Sequence, residues 1–139
     1  MPLVDLDAIP QVPLDFVNAD HREEARLLNA VADAVDALDA GRGDAQAALV
    51  SLAALRGHTA AHFGREDDAM RRTAFPAFPV HHAEHVRVLA ELDDEIRRFA
   101  ATGDSARLRA WVLGDVPKWF ANHIETMDLV TARFIVSRI

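Results

Sequence analysis

His62 and Glu66 stand four residues apart, and so do His81 and His85. On a helix that spacing puts each pair on one face, with the two side chains about 6 Å apart. His21 precedes Ala25 and Leu28 by one and two turns, so it continues an apolar stripe. His123 comes just before Ile124 and is followed, five positions on, by Asp128. Imidazoles and carboxylates converging inside a core need compensation, because an unpaired buried charge is costly. A metal cation supplies it. The chain has no cysteine, which removes disulfides, iron–sulfur clusters and thiolate sites and leaves imidazole and carboxylate as the strong ligands.

Each group taken singly has an ordinary reading. A lone histidine on an apolar face is more commonly a hydrogen-bonded core residue, and one HxxxE or HxxxH pair arises by chance. The metal reading rests on the set, since four segments each put a donor in phase with an apolar stripe. One spacing departs from the pattern. Residues five apart on an ideal helix point about 140° away from each other, so His123 and Asp128 would not share a site. A local π-bulge is expected there, or an approach by Asp128 from the flank.

The elements that must carry these donors are four amphipathic segments. After an arm punctuated by Pro2, Pro10 and Pro13, a helix is expected from Asn18 or Asp20, where Asp20 and Glu23 resemble a capping box. Leu28, Val31, Val35 and Leu38 give it a stripe, and Gly41 and Gly43 end it. A second helix follows Asp44 and runs to about Arg72, with Gly57 and Gly64 read as points of close packing. Pro76 and Pro79 separate it from a third, from about Val80 to Ala101, which Gly103 stops. The last begins at Asp104 or Ser105, is kinked or broken at Gly114–Pro117, and resumes through Trp119, Ile124 and Phe134. No segment alternates with period two. The expected fold is all-α: an irregular arm over residues 1–17, then an up-down-up-down antiparallel four-helix bundle over 18–139.

Bulk properties limit the partners. The 139 residues suit one domain, and a formal charge of −7 argues against nucleic acid and anionic membranes. No apolar stretch reaches the length of a membrane span. The N-terminal stretch lacks the basic start and apolar core of a secretory signal, so a cytoplasmic location is expected.

The donor series His21, His62-xxx-Glu66, His81-xxx-His85, His123-xxxx-Asp128 resembles the hemerythrins, and more closely the bacterial hemerythrin-like, HHE cation-binding proteins. Phe63 after His62, the acidic pair Glu66-Asp67, Met70 one turn on, and the run Trp119-Phe-Ala-Asn-His123-Ile124 carry the same resemblance, which extends from about residue 18 to 135. It implies two iron ions with an oxo or hydroxo bridge. His81, His85 and His123 would bind one iron and His21 and His62 the other, with Glu66 and Asp128 bridging. Dioxygen or a related small oxidant would take the open position on the second iron, behind an apolar wall of Phe63, Met70, Trp119, Phe120 and Ile124. That wall is equally ordinary core packing. Three positions depart from the family pattern. His58 replaces a tyrosine and could be a hydrogen-bond donor behind the ligands, an extra ligand, a proton source, or a histidine bonded to a nearby carbonyl or water. Phe120 replaces a leucine and is expected to narrow access, and Thr131 stands where an aromatic is common. His82 is expected to be a solvated side chain.

The function this implies is reversible dioxygen binding for storage, delivery or sensing, without catalysis. The alternatives are a di-iron enzyme that reduces dioxygen, peroxide or nitric oxide, and a plain iron- or zinc-binding protein. Sensing would require a protein partner that the sequence does not identify.

Overall fold

Links of a few residues between long helices force neighbours in sequence to run antiparallel. The computed structural model, which describes residues 2–139, shows such an arrangement, with Met1 lying outside the described residues. Helix α1 spans Asp15–Asp39, α2 spans Ala45–Arg72 and α3 spans Phe78–Thr102. The fourth rod is assembled end to end from α4 (Ser105–Ala110), a π turn (Trp111–Asp115), α5 (Val116–His123), a second π turn (Ile124–Asp128) and α6 (Leu129–Val136). Among the described residues there is no strand, and no helix is long and apolar enough to cross a membrane.

Most boundaries follow local chemistry. Asp44 caps α2 by accepting from the Ala47 N–H at 2.8 Å. Gly103 takes the left-handed conformation at φ 67°, and its N–H reaches the Phe99 carbonyl at 2.8 Å, closing α3. Asp104 then caps α4 through the Arg107 N–H.

The start of α1 departs from expectation. The helix begins at Asp15, with Leu14 at the cap and no side-chain cap bond. Asp20 lies inside the helix and accepts two bonds from the Arg65 guanidinium of α2, at 2.8 and 2.6 Å. Asn18 is occupied elsewhere, since its amide accepts from the Val12 N–H at 2.9 Å and donates to the Val12 carbonyl at 2.7 Å. Asn29 holds Val4 by the same two-way pairing, at 2.7 and 2.9 Å. Two asparagine side chains thus satisfy the backbone of the arm as a neighbouring strand would. The arm, which contains a 3-10 turn at Leu6–Ala8, lies against the bundle with Ile9, Val12 and Leu14 buried.

The apolar stripes close into two clusters. One contains Leu28, Val35, Leu52, Leu92, Phe99 and Val112, and the other Val17, Met70, Phe75, Ile124 and Ile135. Along α1, α2 and α3 the buried histidines fall between the residues of these clusters. Apolar packing on both sides fixes the depth and angle at which they meet.

Gly57 and Gly64 do not mark close packing. Both face solvent, and a Cβ added at either meets nothing within 4 Å. Glycine in a helix interior loses more backbone freedom on folding than alanine. Gly57→Ala and Gly64→Ala are therefore expected to stabilise the protein by about 0.5–1 kcal/mol each. Thermal melts of the metal-free protein measure this, and a lowered midpoint would show that something does approach these positions.

Candidate metal centre

Each of the four rods delivers donors to one buried chamber. α1 brings His21, α2 brings His62 and Glu66, α3 brings His81 and His85, and the fourth rod brings His123 and Asp128, all at 4% exposure or less. The last pair depends on the second π turn. There the Leu129 N–H bonds to the Ile124 carbonyl, five residues back, which widens the turn and swings Asp128 onto the face of His123. Asp128 Oδ1 lies 3.1 Å from His123 Nε2.

The two carboxylates divide the histidines into two sets. Asp128 turns Oδ1 to the Nε2 atoms of His81 and His123, both at 3.1 Å, and Oδ2 to His21 Nε2 at 2.7 Å. Glu66 repeats the division: Oε1 faces the Nε2 atoms of His81 and His85 at 3.7 and 3.8 Å, while Oε2 contacts His62 Nε2. One position can therefore draw on His81, His85, His123, Glu66 and Asp128, whose ligand atoms lie within 4.8 Å of one another. A second, adjacent position is framed by His21, His62 and Glu66, with Asp128 Oδ2 beside it.

Hydrogen bonding alone does not satisfy this chamber. His62 Nε2, His85 Nε2, Glu66 Oε2 and Asp128 Oδ1 are buried without a hydrogen-bond partner. A buried polar atom left without a hydrogen bond is expensive, and a cation among these four would satisfy them together. The donor set, neutral nitrogen with carboxylate oxygen, suits iron or zinc.

Groups behind the ligands fix which nitrogen faces inward. Asp67 can only accept when ionised, so His85 donates to its Oδ1 from Nδ1 at 2.9 Å, leaving the Nε2 lone pair for the chamber. His81 Nδ1 pairs with the Thr131 hydroxyl at 2.8 Å in the same way. Behind His62 lies Glu24, whose Oε2 is 3.6 Å from His62 Nδ1 and 3.5 Å from His58 Nε2, while its Oε1 accepts from the Thr59 hydroxyl.

Protonation in the metal-free chamber follows from the crowding of charge. Burial pushes the His62 imidazolium down, but the nearby Glu66 and Glu24 carboxylates outweigh it and raise its pKa to about 10. Burial and the Asp128 charge push Glu66 up to about 8. Burial also works against the Asp128 anion, yet the His123, His21 and His81 imidazoles set against it hold its carboxyl well below the usual range. His85 is driven down to about 3 by burial and by the neighbouring His81 charge, despite Asp67. A neutral His85 is the form a metal takes.

Aromatic rings brace the imidazoles. Phe63 stacks on His85 at 3.9 Å, Trp119 on His123 at 4.6 Å, and Phe120 meets His21 edge-on at 5.8 Å. Met70 and Ile124 are fully buried in the adjoining apolar cluster.

His58 does not point into the chamber as a ligand of either position. Its Nε2 donates to the Asp20 carbonyl at 3.0 Å. With Glu24 and His62 it nevertheless forms a third small group of potential donors. His82 is not simply solvated: it donates to Asp67 Oδ2 at 2.8 Å and stacks on Phe78. Sequence reasoning missed Glu24 and the role of Asp67. Glu24 follows His21 by three residues, so it shares that face of α1, and an acid in phase with the stripe was the available signal.

Residues 12–135 match the family model described as hemerythrin HHE cation binding domain. A bacteriohemerythrin of Ralstonia nicotianae is 40% identical over 121 residues, covering 87% of this chain and 80% of that protein. One of Aquifex aeolicus is 26% identical over 120 residues, covering 85% and 86%.

Two outcomes follow from the geometry. Metal ligation needs neutral His62 and ionised Glu66, whereas at pH 7 the metal-free chamber holds a proton on each, with pKa values of about 10 and about 8. Loading is expected to expel about two protons per chain, and affinity is expected to climb as pH rises from 7 toward 10. Calorimetry in buffers of different ionisation heat reads this directly, and a heat independent of buffer would contradict it. Asp67→Asn, which weakens the acceptor behind His85, is expected to lower metal affinity by about 10- to 100-fold. Competition with a chelator tests it, with unchanged affinity as the contrary result.

Proposed function

Since the chain belongs to the hemerythrin HHE cation-binding family, we propose that it is a non-haem di-iron protein that binds dioxygen reversibly. His81, His85 and His123 would hold one iron and His21 and His62 the other, with Glu66 and Asp128 placed to reach both. The observation that carries this reading is the three-to-two division of the histidines across two carboxylates that each turn one oxygen to each set. The first position would draw on three histidines and both carboxylates and the second on two histidines and the same carboxylates, so the second would be the one with room for a small ligand.

Bound, the pair of irons supplies the electrons that dioxygen accepts and later returns. The protein's part is to hold the imidazoles rigid and keep water away. Phe63, Trp119 and Phe120 clamp three of the five rings, and Met70 and Ile124 close the apolar side. Five neutral ligands against two anionic ones also place less negative charge on the metals than the glutamate-rich sites of ferritin-like bundles. That balance favours release of the oxidant over its cleavage.

A second reading, reduction of peroxide, dioxygen or nitric oxide, draws support from Glu24 and His58, an acid and a base next to His62. The two readings part on one experiment. Iron-loaded, reduced protein exposed to oxygen is expected to contain two irons per chain and to develop an absorption band that disappears under vacuum through repeated cycles. His58→Phe is expected to leave that cycle intact. A single metal per chain, or a band that bleaches irreversibly, rejects the oxygen-carrier reading. Peroxide turnover lost in His58→Phe selects the enzyme.

A further inference from the structure

A cavity of about 270 Å³ opens beside the metal chamber, and none of the seven donors lines it. Three rings, those of Trp111, Trp119 and Phe120, form part of its wall. Leucine and valine side chains from all four rods, Leu28, Leu55, Leu92 and Val116 among them, complete the apolar lining. An apolar cavity of about 150 Å³ is already large enough to take up benzene, so this one accommodates a ring with a short alkyl substituent.

The polar groups of the lining are already committed, and that selects the ligand. The Thr59 hydroxyl is shared between Glu24 Oε1 and the Leu55 carbonyl. Glu24 Oε2 is buried and turned to His58 and His62, at 3.5 and 3.6 Å, so it presents nothing to the cavity. Arg87 is held by Glu84 and Glu91 through four hydrogen bonds. The Trp111 indole N–H donates to Glu91 at 2.7 Å and that of Trp119 to Glu84 at 2.9 Å. Asp115, the remaining charge, is exposed and keeps its water. A charged group entering this space would give up its hydration with no partner to replace it. An uncharged apolar molecule gives up nothing of that kind, and flat walls of aromatic side chains favour a ring.

We propose that this cavity is a binding site for a small uncharged aromatic molecule, held against Trp111, Trp119 and Phe120 by apolar contact alone. The site shares its walls with the metal centre. Phe120 meets His21 edge-on and Trp119 stacks on His123, so the rings that pack against the ligand are also the rings that brace two of the imidazoles. The inference concerns the cavity and stands whichever cation the chamber holds.

Calorimetric titration of the metal-loaded protein with toluene, benzylamine and benzoate tests it, since the three share a ring and differ in charge. Toluene is expected to bind saturably at one site per chain, and each charged analogue at least about tenfold more weakly. The chain's two tryptophans both line the cavity and it has no tyrosine. Occupancy is therefore expected to change the tryptophan emission of the zinc-loaded protein over the same concentration range. Val88→Trp or Val116→Trp, which fill the cavity from its sides, are expected to abolish toluene binding. Absence of saturable toluene binding, a charged analogue that binds as tightly, binding that leaves the emission unmoved, or binding that survives both variants would each overturn the assignment. The three-ligand series on the unaltered protein decides the matter even where a variant fails to fold.

Discussion

Seven nitrogen and oxygen donors removed from water must be repaid within one chamber, and most of the molecule is arranged around that requirement. Burial of an isolated charge costs more than a small domain's whole stability. Here the carboxylates Glu66 and Asp128 and the five imidazoles partly neutralise one another by sharing protons, which is why Glu66 is pushed up and Asp128 held down although they lie side by side. Four donor atoms still lack partners. The protein without its cation is thus a compromise between protonation and desolvation, and cation binding replaces that compromise with ligation. The two apolar clusters on either side of the chamber supply the folding energy that tolerates it.

The groups behind the ligands differ from one side of the chamber to the other. His85 and His81 are oriented by single, well-formed hydrogen bonds to Asp67 and Thr131. His62 is backed by the looser group of Glu24 and His58. A firmly oriented imidazole keeps one tautomer and one angle. The looser backing lies on the side that has two histidines rather than three.

Much of this was legible in the sequence because helix periodicity and ligand spacing are both local. The pairs His62/Glu66 and His81/His85 announce a face, and the stripe in phase with them announces a core. The five-residue step from His123 to Asp128 pointed to a widened turn, and one is present at Ile124–Asp128. What escaped was the information held between elements. Asp20 looked like a cap from its neighbours, but it pairs with Arg65 from another helix. Asn18 and Asn29 looked like helix residues, but their amides hold the arm. Gly57 and Gly64 suggested contact where there is only solvent, since a missing side chain carries no sign of what faces it. Glu24 lay on a readable face, yet its importance comes from α2.

The fourth rod alone contains π turns, two of them, at Trp111–Asp115 and Ile124–Asp128. Each accommodates one residue beyond the regular helix, and so rotates everything downstream by roughly 100° about the axis. The pair works like a vernier: this rod can be re-indexed against three fixed rods without changing its length by more than a residue. A one-residue insertion or deletion at either turn would therefore change which side chains this last strut presents to the interior far more than it would change its reach.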